Sequence, residues 1–252
     1  MGKIISVSNQ KGGVGKTTTA VNLSSFIASQ KKVLLIDLDS QGNAGFGLGF
    51  NSNEIETTIY EVLIGRNLIT EAIYKTKVKN LDLIPSNINL AGAQIDLTDF
   101  PQKEFILRET LNKISDNYDY IFIDTPPSLG ILTLNGLVAA DSVIIPLQCE
   151  YYALEGLNQL LKIICTVQEN LNKNLKIEGV VLTMFDSRTN LSRQIVADVH
   201  EYFQDNVFRT IIPRNIRLSE APSYGEPINF YDRNSRGSLS YQELALEVMN
   251  NA

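Results

Sequence analysis

The chain has 252 residues, 44% of them apolar and 20% charged, with a formal charge of −6. That size and composition suit one globular α/β domain spanning residues 1–252. The acidic balance argues against a general nucleic-acid coat, and apolar runs such as Val143-Ile144-Ile145 fall far short of the roughly 20 residues that a membrane span needs. Met1-Gly2-Lys3 leads straight into an apolar run, so no signal peptide is expected.

In chain order, residues 4–7 read as a strand, followed by Gln10-Lys11-Gly12-Gly13-Val14-Gly15-Lys16-Thr17-Thr18 and a helical pattern at about 17–30. Glycines between a strand and a helix let several backbone N–H groups point at one anion, and the helix adds its positive end. Lys16 can then reach β- and γ-phosphates, and the Thr17 hydroxyl can ligate Mg²⁺. A strict phosphate loop would carry glycine at position 10; Gln10 and the extra cation Lys11 mark a variant. The second strand, 33–36, runs into Asp37-Leu38-Asp39, and the irregular stretches 40–60 and 85–103 flank a strand at 81–84. Loops of that length tend to be functional.

A helical pattern at 104–116 precedes the strand 120–123, which is closed by Asp124-Thr125-Pro126-Pro127. An acid at the carboxyl end of a buried strand beside a phosphate loop is placed to hold Mg²⁺, and the two prolines force the chain out of the sheet. Strands at 142–145, 179–182 and 210–212 alternate with helical patterns at 152–171 and 190–204. Continuously apolar strands separated by helices predict a doubly wound, mostly parallel sheet flanked by helices, with ligands at the carboxyl ends of the strands. The tail at 239–249 has an apolar stripe, two acids and no Lys or Arg, which predicts a helix docked on the domain.

Cys149 and Cys165 lack a nearby His and are expected to be small buried residues in a reducing, cytosolic compartment; His200 is expected at the surface. All thirteen lysines lie at or before Lys176, and the basic residues beyond it are seven arginines, among them Arg188, Arg193, Arg217, Arg233 and Arg236. Residues 188–236 also hold six acids, so composition alone does not distinguish a DNA face from ordinary surface.

Residues 11–18 resemble the deviant Walker A ATPases, a class that includes partition proteins, the division-site ATPase MinD and nitrogenase iron protein. The blocks 37–43, 124–130, 148–156, 182–186 and 212–222 look like the ParA/Soj partition branch nearly end to end, departing at Ser40 and Asn234-Ser235. The resemblance implies ATP and Mg²⁺ as cofactors. It implies that Lys11 reaches the nucleotide of a second protomer, and that ATP drives homodimer formation. It makes Asp39 the acid that positions the attacking water, Asp37 an organiser of the Mg²⁺ environment, and Pro213 and Asn215 contacts to the base. Arg188 and Arg217 become contacts to nonspecific double-stranded DNA, with a centromere-binding protein of the ParB type as stimulator. A nucleoid-associated switch without a membrane partner is the expectation. The alternatives are a membrane-cycling regulator like MinD, which would need a basic amphipathic C-terminal helix, an iron–sulfur ATPase, and a small-molecule synthetase.

Overall fold

The computed structural model describes residues 2–51, 54–150 and 153–251. A seven-stranded sheet runs β3-β4-β2-β5-β1-β6-β7, where β1 is Lys3–Val7, β2 Val33–Asp37, β3 Tyr74–Lys75, β4 Leu81–Ile84, β5 Tyr120–Asp124, β6 Ser142–Gln148 and β7 Lys176–Thr183. Every pairing is parallel except that of β3 with β4. The helices are α1 (Lys16–Ile27), α2 (Asn43–Gly47), α3 (Ile59–Leu63), α4 (Ala93–Asp96), α5 (Ile106–Leu111) and α6 (Ile131–Ala139). They continue with α7 (Ala153–Asn170), α8 (Asn190–Phe203), α9 (Ile216–Glu220), α10 (Ile228–Tyr231) and α11 (Arg236–Asn250).

Successive strand residues serve opposite layers, as the pleat requires. Ile4, Leu34, Ile36, Ile121 and Ile123 pack with α5, α6, α7 and α8, whereas Ile5, Val33, Leu35, Tyr120 and Phe122 pack with α1 and α11. Both faces are therefore apolar, and the strands carry the unbroken hydrophobic runs of a sheet buried on both sides. The doubly wound expectation holds. So does the docked tail: Tyr241, Leu244, Ala245 and Val248 of α11 are buried against the α1 layer.

Several expectations are corrected. Residues 210–212 form no strand of the sheet. The segment runs beside β7 through two isolated bridges, Val180 with Val207 and Phe185 with Pro213. The ladder is interrupted because Arg209 N, Thr210 N and the Thr210 hydroxyl all donate to the Glu247 carboxylate on α11 instead. The helical pattern at 104–116 divides into α5 and a 3₁₀ turn at Ser115–Asn117. The stretches 40–60 and 85–103 hold short helices rather than open loop. Cys149 is buried as expected, but Cys165 is exposed on α7. Tyr151 and Tyr152, part of the partition-like block at 148–156, lie outside the described residues.

Candidate nucleotide site

At the carboxyl ends of the strands, register brings the chemistry together: Val7, Asp124 and Asp37 are direct partners across β1, β5 and β2. From β1 the chain passes to β2 on one side of the sheet and later returns to β6 on the other, so the loop after Val7 sits where the winding reverses. Gly13 and Gly15 adopt φ values of 73° and 91°, a left-handed backbone that only glycine enters freely. A Cβ added at Gly12 or Gly13 would meet no atom within 4 Å. The loop thus curls around free space of the kind an anion fills, with the first turn of α1 pointing into it.

Three bonds fix that curl. The Asn9 amide donates to Pro146 O at 2.6 Å, Lys11 N donates to Asn9 Oδ1 at 3.0 Å, and the Thr183 hydroxyl at the end of β7 donates to Val14 O at 2.8 Å. Lys16 is only 7% exposed and its ammonium donates to Lys11 O at 3.0 Å. Burial pulls its pKa down, while the charges of Asp124 and Asp39 hold it up. Lys11 points elsewhere: its Nζ lies 3.6 Å from Glu150 Oε2, and Arg214 approaches the other oxygen of Glu150 at 3.7 Å.

The carboxylates divide by environment. Asp37 is fully buried, and its oxygens accept Asp39 N at 2.9 Å, Ala44 N at 2.9 Å and Gly45 N at 3.4 Å. It clamps the start of α2 to the end of β2. Burial pushes its pKa up against those donors, which favour the anion. Asp124 is equally buried; neither of its oxygens accepts a well-formed hydrogen bond among the described residues, although the Thr17 hydroxyl is close enough to favour its charged form. Burial and then the charge of Asp37 raise its pKa well above the carboxylate range, with the Thr17 hydroxyl and Lys16 acting in the opposite sense. A buried, unpartnered carboxylate beside a hydroxyl and an anion cradle fits a hard divalent cation with oxygen ligands, so the donor set suits Mg²⁺. Asp39 is half-exposed at the mouth, with Oδ1 accepting Gln41 N at 3.0 Å and its carbonyl accepting the Ser86 hydroxyl.

Beside the loop, a cavity of about 340 Å³ is lined by Gly15, Thr18, Met184, Pro213, Asn215 and Tyr241, among others. Pro213 and Asn215 thus share a chamber with the phosphate loop. Asn215 Oδ1 is occupied, accepting Arg217 N at 2.8 Å as the cap of α9. Three contributors went unread in the sequence. Met184 takes φ 53°, a strained choice for an unbranched residue at the cavity wall. Tyr241 forms the floor and shares a 3.1 Å hydrogen bond with the Thr19 hydroxyl of α1, and Glu247 holds segment 209–210 in place. Nothing local marks the last two, because their roles exist only once α11 docks. Glu247→Ala would leave the Thr210 N–H without its acceptor and cost about 1–3 kcal/mol, measurable by urea unfolding, together with weaker nucleotide binding. Glu247→Gln, which keeps an acceptor oxygen, should lose less.

The two arginines expected at DNA are exposed, and both are engaged. Arg188 grips Asp186 through Nε at 2.9 Å and Nη2 at 2.7 Å. Arg217 reaches Glu220 at 2.9 Å and Asp232 at 3.3 Å. Arg214 N donates to Phe185 O, which ties segment 213–217 to the turn that carries Arg188. His200 is exposed on α8, as expected.

Known proteins bear on this arrangement. The family described as "AAA domain" matches residues 2–177. The sporulation initiation inhibitor protein Soj of Bacillus subtilis is 55% identical over 252 residues, covering all of both chains. The chromosome-partitioning ATPase Soj of Treponema pallidum is 51% identical over 250 residues, 99% of this chain and 98% of that one. The crystal structure of cobyrinic acid a,c-diamide synthase from Mycobacterium smegmatis, with bound ADP and magnesium, superposes with a TM-score of 0.88 at 38% identity, covering 99% of this chain and 95% of that one. Sheet order, glycine cradle and paired lysines define a P-loop protein of the deviant Walker A class. Within that class, the chain belongs to the Soj/ParA family of chromosome-partitioning proteins. Among the described residues, no helix is long and apolar enough to cross a membrane.

Proposed function

We propose that this chain is a Mg²⁺-dependent ATPase acting as a partition switch, which pairs on ATP, holds duplex DNA without sequence preference, and is reset when a ParB-type partner stimulates hydrolysis. The observation that carries the reading is the buried, unpartnered Asp124 carboxylate facing an open glycine cradle. Thr17 and Asp124 would hold Mg²⁺, with Asp37 fixing the loop around it; the cation would neutralise charge building on the phosphates. Gly12 through Thr18 receive the phosphates and Lys16 spans the β- and γ-groups. Pro213 and Asn215 bound the base, and Asp39 orients a water. Asp39 lies in a half-exposed place and its role is to orient the water, so intrinsic turnover should be slow and rest on positioning.

Among the described residues the Lys11 ammonium makes one ion pair, a long contact to Glu150, which would let it cross to the nucleotide of a second protomer. Pairing would double the number of DNA contacts, and salt-sensitive affinity rises steeply with that number. Tyr241, Leu244, Ala245 and Val248 of α11 are buried in the core and the helix offers no basic face, which argues against α11 as a membrane anchor and supports a nucleoid-associated reading. Retention on random-sequence DNA should need ATP, fall with salt and disappear in Arg217→Glu. Retention indifferent to nucleotide would sink the switch. The resemblance to the M. smegmatis structure favours ATP-dependent amidation as a second reading. ATP-dependent amide formation on cobyrinic acid, with no ATP-dependent DNA retention, would establish it instead.

A further inference from the structure

Both arginines assigned to DNA carry their own counter-ions. Asp186 occupies the Nε/Nη2 edge of Arg188 in a two-bond fork and also accepts Arg188 N at 3.0 Å. That edge is the one that grips a phosphate bidentately. Arg217 is bracketed by Glu220 and Asp232, with Glu220 steadied by the Tyr231 hydroxyl at 3.1 Å. Asp186 is held well below the usual carboxylate range by its bonds to Arg188, so it stays charged under any ordinary condition. The two arrangements come from unrelated local structure, a turn after β7 and a helix after the base loop, yet share one design: an exposed arginine with an acid in hydrogen-bond contact.

We infer that Asp186 and Glu220 set the DNA affinity of this protein by competing with DNA phosphates for Arg188 and Arg217. The inference rests on the DNA reading given above. A phosphate that reaches either arginine must displace a carboxylate already there, and the displaced acid then lies close to the DNA strand. Each contact is therefore worth less than a bare arginine would give, and one protomer alone holds DNA poorly. Two protomers joined through ATP supply enough contacts to persist. The acids thereby make binding conditional on pairing, which a switch requires, and let the complex dissolve when the pair separates.

The test uses Asp186→Asn and Glu220→Gln, separately and together. Each keeps an oxygen that can accept the Arg188 N–H or the Tyr231 hydroxyl, and removes only the charge. Glu243→Gln is the control. Glu243 is exposed on α11, makes no ion pair among the described residues, and its change alters net charge by one unit, as each single variant does. Binding of a random-sequence duplex would be followed by fluorescence anisotropy in about 0.1 M salt, with a slowly hydrolysed ATP analogue and without nucleotide. The double variant should bind on the order of tenfold more tightly with the analogue and begin to hold DNA without nucleotide, while Glu243→Gln shifts affinity less than about twofold. If the single variants Asp186→Asn and Glu220→Gln merely track Glu243→Gln while Arg188→Ala and Arg217→Ala lose DNA, the counter-ion role is overturned and the DNA reading stands. If the arginine variants bind like the wild type, the DNA reading falls and this inference with it.

Discussion

Asp124→Asn is expected to raise the melting temperature of the nucleotide-free protein and to abolish Mg²⁺-dependent ATP hydrolysis. The opposing signs follow from one fact. Asp124 ends β5 directly beside Asp37 in register, both side chains are buried, and only Asp37 is compensated by backbone donors. Burial disfavours the charged form of Asp124, with the Thr17 hydroxyl and the Lys16 charge offsetting only part of that, and a neutral amide of the same shape lowers the cost. The gain should be about 1–3 kcal/mol, or roughly 2–10 °C for a chain of this size. The same exchange removes the anionic oxygen offered to Mg²⁺, and hydrolysis should fall by about 10²–10³-fold. Thermal melts with and without Mg-ATP, beside a phosphate-release assay, read both effects. A variant that melts lower than wild type, or that still gains stability from Mg-ATP as wild type does, would refute the assignment.

Lys11→Ala should separate nucleotide binding from pairing. The Lys11–Glu150 contact spans 3.6 Å between side chains 35% and 47% exposed, so its loss should change stability by less than about 0.5 kcal/mol. Lys16 is different: it is buried within the loop, and under the proposed function it holds the phosphate groups themselves. Lys11→Ala is therefore expected to bind ATP as a single protomer with near-normal affinity, to sediment as a monomer with a slowly hydrolysed analogue, and to lose DNA retention. Lys16→Ala should fail at the first step and bind no nucleotide. A Lys11→Ala protein that still pairs on ATP would remove this lysine from the dimer contact.

The sheet was readable because its strands are buried on both sides and so run apolar without interruption, as in residues 33–36 and 120–123. The phosphate loop was readable because glycine, lysine and threonine at fixed spacing leave few other uses. Where a helix is apolar all round, the signal vanishes. Helix α6, Ile-Leu-Thr-Leu-Asn-Gly-Leu-Val-Ala, is buried on nearly every side and shows no polar face to mark its period. Its Gly136 is needed for close approach, since a Cβ there would stand 2.9 Å from Thr125 Cγ2. The opposite error arose at 210–212, where an apolar triplet looked like a strand but Glu247, distant in sequence, takes the backbone donors. Tyr241 and Glu247 had no signature for the same reason. Arg188 and Arg217 were legible by family likeness alone, and the acids that pair with them were hidden in an apparently balanced composition.

The two margins of the sheet have a consequence for the protein at high concentration. An exposed strand edge is a template on which another chain can add. Here the β4 side ends in β3, only two residues long and carrying Lys75, whose ammonium is bonded back to Asp82. The β7 side is screened by the segment around 207–213, whose two bridges satisfy parts of the ladder without forming a new one and which ends in a proline. Neither margin offers a regular, unpaired ladder to an invading strand. A chain at high local concentration can thus be packed densely and still avoid the edge-to-edge growth that leads to fibres.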